Sequence, residues 1–165
     1  MHRNSLGYAG YLIVSLVIVV SDQITKQIAY QNLGGGPPIE ILPVFKFALV
    51  LNQGAAFGIL NDAGGWQRLF FIALALVFSL VLLVWIWREI GRSRILSFGL
   101  ALVLGGAIGN LIDRINAGYV IDFIVLHYQD WYFPAFNIAD MAITFGAIIL
   151  IVDSLFFSNN RSTSS

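Results

Sequence analysis

The sequence predicts an all-α membrane protein: four transmembrane helices with a small β-rich platform outside the lipid. Three observations predict it. Of the 165 residues, 58% are hydrophobic and only 11% charged, with a mean hydropathy of +0.82, against roughly 25% charged in an ordinary soluble domain. Four apolar stretches each approach the ~20 residues needed to cross a bilayer. The excursions between them carry turn signals, interfacial aromatics and, in the first, strand-forming runs. At this length the chain is expected to be a single integral membrane domain over residues 1–165.

The first span is expected over residues 7–29. Arg3 and the apolar run at 8–20 resemble the start of a secretory signal peptide. No small-x-small cleavage pattern follows Val20, however, and apolar character resumes at Ile24, Ile28 and Ala29. The excursion at 30–68 opens with the turn signal Gly34-Gly35-Gly36-Pro37-Pro38. Residues 39–51 are rich in Ile, Val, Leu and Phe, interrupted by Pro43, and read as short strands. Two further turns are expected, at 52–58 and at 61–65.

The second span is expected over 69–87, with Trp66 near one end and Trp85 and Trp87 near the other, as interfacial aromatics. A polar break at 88–94 leads to the third span at 95–112. Its Gly105 and Gly109 stand at i and i+4, a spacing that lets helices approach closely. The second excursion, 113–137, carries Tyr119, Tyr128, Trp131, Tyr132 and Phe133, and the last span covers 138–157. Residues 158–165 form a polar tail with the composition of a disordered segment.

Four spans place both termini on one side. Arg3, the Arg88/Arg92/Arg94 loop and Arg161 share that side, which the excess of positive charge makes cytoplasmic, although Lys46 and Arg68 lie opposite. Both excursions then face outward.

Composition also excludes chemistry. A formal net charge of zero suggests no nucleic-acid partner. With no cysteine there is no disulfide, thiolate nucleophile or zinc–thiolate site, and the two histidines, His2 and His127, are too far apart in sequence to suggest a metal site. No serine–lysine nucleophile pair is evident.

The acidic residues carry the functional argument. Asp122 lies in an apolar run after Gly118, and Asp140 lies in the first turn of the last span. A carboxylate at the edge of the bilayer core costs a few kcal/mol, so each is a functional candidate. Two that meet cannot both ionise readily, which is the basis of an aspartic acid/base dyad. Asp140 would be helped to ionise by the helix N-terminus, leaving Asp122 to hold the shared proton. Asn137, three residues before Asp140, reads as the helix cap, and capping alone would explain that pair. Asp22 and Lys26, at i and i+4, share a helix face, and a bracing ion pair at the membrane boundary is the plainer account of them. Asn110 and Arg114 have the same spacing at the outer end of the third span, where a polar site competes with simple snorkelling. Asp113 reads as a local partner on another face. Asn52 and Gly54 offer a hydrogen-bonding side chain and close backbone approach, but an ordinary turn explains them equally well.

Five blocks, Asp22-x-x-x-Lys26, Asn52-Gln53-Gly54-Ala55-Ala56-Phe57, Gly105-Gly106-x-x-Gly109-Asn110-x-x-Asp113-Arg114, Val120-x-Asp122-Phe123 and Phe136-Asn137-x-Ala139-Asp140, together resemble the lipoprotein signal peptidases (signal peptidase II) of bacteria. They occur in the family's order, from the first span to the last. The resemblance implies four inner-membrane helices with an extramembrane β-cradle and an active site toward the periplasm. It implies that Asp122 and Asp140 are the catalytic pair of an aspartic endopeptidase, and that Asp22, Lys26, Asn52, Gly54, Asn110, Arg114, Asn137 and Ala139 line or brace the site. The implied substrates are prolipoproteins cut just before a diacylglyceryl-modified cysteine. Membrane lipids and globomycin-type inhibitors are the other implied partners, and neither a metal nor an organic cofactor is implied. A small proton-coupled transporter, with the same acids as a relay, is the alternative reading.

Overall fold

The computed structural model describes residues 5–54 and 65–156, the first two by backbone only. Arg3, Arg161 and the polar tail, the turn at 55–58 and residues 61–64 of the next expected turn lie outside the described residues. Four helices and a four-stranded sheet follow in the order α1 (Ser5–Leu33), β1 (Ile39–Leu42), β2 (Phe45–Asn52), α2 (Trp66–Glu89), α3 (Arg94–Asn116), β3 (Val120–Tyr128), β4 (Trp131–Tyr132) and α4 (Ile138–Phe156). All four helices are long and apolar enough to cross a membrane.

Three helices overrun the expected spans: α1 passes Ala29 to reach Leu33, α2 runs Trp66–Glu89 against 69–87, and α3 passes Ile112 to reach Asn116. Hydropathy reports contact with lipid, whereas a helix ends where its backbone turns. α1 ends at Gly34 and Gly35, the latter with φ +82°, and α3 ends just before Gly118, with φ +84°. α3 begins at Ser93, whose hydroxyl accepts from the Leu96 N–H at 3.2 Å, an ordinary N-cap.

The bundle is polar inside and apolar outside along much of α1. Ser15, Asp22, Lys26, Ala29 and Leu33 are buried, while Ile13, Leu16, Val17, Val20, Ile24 and Ile28 are about half exposed. In water that distribution would be unstable; against acyl chains the apolar face is the solvated one. α3 is the central helix, packed on α1, α2 and α4, and its glycines set the spacing. A Cβ on Gly105 would lie 2.8 Å from the Ser15 carbonyl oxygen and from Ile18 Cβ, and one on Gly106 would strike the Ala139 carbonyl. Gly99 and Gly146 press α3 and α4 together in the same way. The i and i+4 glycines are therefore packing residues, and Gly109 also faces a functional side chain, described below.

The sheet has the order β1-β2-β3-β4, with antiparallel neighbours. Strands were expected from the first excursion. The second excursion supplies β3 as well, and it pairs with β2 from Asn52↔Val120 and Val50↔Asp122 to Phe45↔Leu126. The run Val120-Ile121-Asp122-Phe123-Ile124-Val125 has the β-branched content of a strand, but only pairing with β2 fixes which face Asp122 takes. Phe123 joins Ala29 and Leu33 in a small apolar cluster that seats the sheet on the end of α1. The sheet, the C-terminal ends of α1 and α3 and the N-terminal ends of α2 and α4 thus share one end of the bundle. The Arg92–Ser93 turn lies at the other.

Candidate active site

Asp140 stands in the first turn of α4 and Asn137 caps it. The Asn137 Oδ1 accepts from the Asp140 N–H at 2.9 Å, and the Asp140 Oδ2 accepts from the Asn137 N–H at 3.2 Å. This reciprocal pair is a capping box built from Asn and Asp. The cap does more than end a helix. Its Nδ2 donates to Asp122 Oδ1 at 2.7 Å, and also reaches Asn110 Oδ1 at 3.2 Å and the Ile121 carbonyl at 3.3 Å. One carboxamide thereby joins the Asp140 backbone to the Asp122 carboxyl.

Asp122 projects from β3 and is 2% exposed. Asn52, diagonal to it on β2, donates from Nδ2 to Asp122 Oδ2 at 3.2 Å. The Asn52 Oδ1 accepts from the Gly54 N–H at 3.1 Å, so the expected turn orients the amide that meets the acid. Burial, and then the neighbouring charge of Asp140, push the Asp122 carboxyl up to about 7, against the opposing pull of the Asn52 and Asn137 hydrogen bonds and of Lys26. Asp122 therefore holds its proton well above the usual carboxylate range.

From α3, the Asn110 Nδ2 donates to Asp140 Oδ1 at 2.8 Å, and its Oδ1 accepts from Lys26 Nζ at 2.9 Å. Arg114, one turn on, donates from Nη2 to the Gly54 carbonyl at 3.2 Å, and its guanidinium lies 5.1 Å from the Phe71 ring centroid on α2. The pair at i and i+4 is thus part of a polar site, and snorkelling does not describe Arg114.

Beneath these groups lies a buried ionic knot. Lys26 Nζ is 2.7 Å from Asp22 Oδ2 and 2.8 Å from Asp113 Oδ2, with all three residues under a tenth exposed. Asp22 Oδ1 accepts from the Ala139 N–H at 2.9 Å, tying the knot to the start of α4. Gln23 donates to Asp113 Oδ1 at 2.9 Å and to the Gly109 carbonyl at 3.2 Å. A Cβ on Gly109 would come within 2.6 Å of Asp22 Oδ2. The expected two-membered boundary pair is therefore a three-membered buried one. Asp113, expected as a local partner, instead pairs with Lys26 across on α1, and Gln23, which no local pattern singles out, bonds to the same carboxylate.

Asp122 and Asp140 line one cleft of about 800 Å³, together with Asn52, Gly54, Asn110 and Arg114. The polar groups cluster at its head. Its other walls are largely apolar, with Val50, Leu51 and Leu126 on the sheet side, Phe133 and Phe136 on the approach to α4, and Met141, Ile143 and Phe145 along α4, beside Tyr132 and Thr144. Asn137 and Ala139, fully buried, and Asp22 and Lys26 stand behind the cleft as its support. The arrangement places an acid of raised proton affinity near a second carboxyl group at the head of a largely apolar cleft that extends along α4.

The family described as Signal peptidase (SPase) II matches residues 14–156. The chain is 48% identical over 155 residues to the lipoprotein signal peptidase of Acinetobacter baumannii strain ATCC 17978, covering 94% of this chain and 88% of the relative. It is 48% identical over 161 residues to that of Ectopseudomonas mendocina strain ymp, covering 96% and 94%. A bacterial membrane enzyme solved in meso at 2.3 Å superposes with a TM-score of 0.78 at 30% identity, over 95% of this chain and 92% of that one.

Proposed function

The chain belongs to the signal peptidase II family, and on that premise we propose that it removes signal peptides from prolipoproteins, cutting just before a cysteine that carries diacylglycerol. It is a peptidase and a multi-pass bacterial membrane protein. The transporter alternative gains no support from the family or the relatives.

The catalytic type is aspartic in this reading. The observation that carries it is the placement of Asp122 and Asp140 at the head of one cleft, with Asn137 bound to both. Each Asp140 oxygen takes an N–H donor, from Asn110 and from Asn137, which suits a carboxylate. Asp122, pushed up to about 7, supplies the proton. Asp140 draws a proton from water while the resulting hydroxide adds to the scissile carbonyl carbon, and the Asp122 proton passes to the carbonyl oxygen. The tetrahedral diol then collapses as the proton on Asp140 moves to the departing amine, the C–N bond breaks, and the second hydroxyl proton returns to Asp122. The products are the carboxyl end of the signal peptide and a free amino group on the lipidated cysteine, with both acids restored.

Asn52, Gly54, Asn110, Arg114, Asn137 and Ala139 hold the dyad and the peptide backbone in register, and Asp22 with Lys26 braces them from behind. The apolar walls on α4 suit acyl chains that remain in the bilayer, so lipid anchoring supplies part of the orientation. Globomycin-type inhibitors would occupy the same cleft. The termini and the Arg88/Arg92/Arg94 loop face the cytoplasm in this reading, which puts the cleft on the periplasmic face of the inner membrane.

Purified enzyme in detergent, given a diacylglyceryl-modified prolipoprotein, should release signal peptide and mature lipoprotein. Asp122→Asn and Asp140→Asn should each abolish release while retaining a cooperative thermal transition. Turnover at the wild-type rate by either variant would remove the aspartic mechanism.

A further inference from the structure

In the sequence, Arg68 is no more than a positive charge on the outer side. Its surroundings are more specific. Arg68 lies in the first turn of α2, and its guanidinium donates from Nε to the Arg114 carbonyl at 3.0 Å and from Nη2 to the Ile115 carbonyl at 2.7 Å. These carbonyls belong to the last turn of α3, where no further helical N–H is available to satisfy them. At the left-handed turn of Gly118, a Cβ would sit in van der Waals contact with the same guanidinium, 3.5 Å from its Nη1. One turn further along α2, the Phe71 ring lies under the Arg114 guanidinium. Successive turns of α2 therefore grip the backbone and the side chain of a single residue.

That residue leads to the dyad. Arg114 Nη2 donates to the Gly54 carbonyl, the Gly54 N–H donates to Asn52 Oδ1, and Asn52 Nδ2 donates to Asp122 Oδ2. A line of hydrogen bonds thus runs from α2, which contributes no side chain to the cleft lining, to the acid on β3. We infer that Arg68 is a positioning residue for cleavage: its fork on the end of α3 fixes Arg114, and through Gly54 and Asn52 it fixes the Asp122 carboxyl.

The inference rests on the proposed peptidase reading and makes a separate prediction. An arginine that merely snorkels to the interface could be replaced without effect on the chemistry. A positioning arginine could not, and lysine could not fully replace it, because an ammonium lacks the planar fork that spans two carbonyls. The pH profile adds a readout that general weakening of the fold does not move. Loosening Asn52, by way of Arg114 and Gly54, weakens a donor that favours ionised Asp122, so the acid keeps its proton to higher pH.

The test is the pH dependence of kcat/KM for the full-length enzyme in detergent with a diacylglyceryl-modified prolipoprotein. For Arg68→Ala, kcat/KM should fall about tenfold to a hundredfold, as for a catalytic geometry disturbed by an ångström or less, and the basic limb should move to higher pH. Arg68→Lys should recover part of the rate. Phe71→Leu, which removes the ring while keeping apolar bulk, should shift the limb in the same direction and serves if Arg68→Ala does not fold. A wild-type profile in Arg68→Ala, or in Phe71→Leu where that variant is needed, would overturn the inference, as would a lower rate with an unmoved limb. Failure of the wild-type enzyme to cleave would instead overturn the peptidase reading.

Discussion

The Asn137 Nδ2 lies 2.7 Å from Asp122 Oδ1, so the residue that caps α4 also holds the carboxyl carried by β3. Capping and orientation use different atoms of one side chain: Oδ1 meets the Asp140 N–H and Nδ2 meets Asp122. Asn137→Ser retains an oxygen able to cap and deletes the donor. It should unfold close to the wild-type temperature, since Ser and Asn cap comparably, while prolipoprotein cleavage falls by about two orders of magnitude through misplacement of the acid. Thermal unfolding and initial rates on the same preparation separate the two effects.

The proton on Asp122 sets the upper limit of activity. With the carboxyl pushed up to about 7, the productive form, Asp122 protonated and Asp140 ionised, is lost as pH rises through that value. The pH profile of kcat/KM should therefore have a basic limb near neutrality. Asn52→Ala, which removes a hydrogen bond that favours the ionised acid, should move that limb upward.

The same shift has a stability consequence. The folded protein binds the Asp122 proton more tightly than the unfolded chain, whose aspartate has its ordinary value of 3.8. Stability from this group is full below about pH 4 and declines as pH rises to about 7, beyond which the decline is complete. Asp122→Asn does not titrate. The unfolding temperature of the variant minus that of wild type should rise from pH 4 to pH 7 and then level off, for an effect on the order of a few kcal/mol. A difference independent of pH would refute the shift.

Lys26 stands between two buried carboxylates, Asp22 and Asp113, at 2.7 and 2.8 Å. Lys26→Met leaves both without their cation, and removal of one member of a buried ionic group costs about 3–5 kcal/mol. The unfolding temperature in detergent should drop sharply. Adding Asp22→Asn and Asp113→Asn in the Lys26→Met background should restore much of the loss, since no buried charge would then lack a partner.

Gly109 touches that knot from α3. Gly109→Ala would place a methyl group within 2.6 Å of Asp22 Oδ2 and 3.3 Å of Ala139 Cβ, so α1 or α4 must give way. Overpacking of this kind costs about 1–3 kcal/mol. Gly10→Ala, where nothing lies within 4 Å, is the matched control and should leave the unfolding temperature unchanged.

The sequence alone determined the parts that depend on contiguous residues. Four runs of apolar side chains, the excursions between them, the N-terminal Asn137 cap of the last helix and the i, i+4 pairs Asp22/Lys26 and Asn110/Arg114 are all local, because lipid contact and helical repeat act over one to several turns. The five motif blocks from Asp22 to Asp140 are likewise contiguous, and together they carry the resemblance to the family. Only the tertiary structure decided the relationships between remote segments. β3 became a strand beside β2, Asp113 became the second anion of Lys26, and Arg68 found the carbonyls of another helix. Each of these joins residues more than forty positions apart, and hydropathy summed along a chain has no register across such gaps. The direction of the polar face of α1 belongs with them: Asp22 and Lys26 point inward because a buried cation and its anions could find one another only in the bundle's interior, at the foot of the cleft.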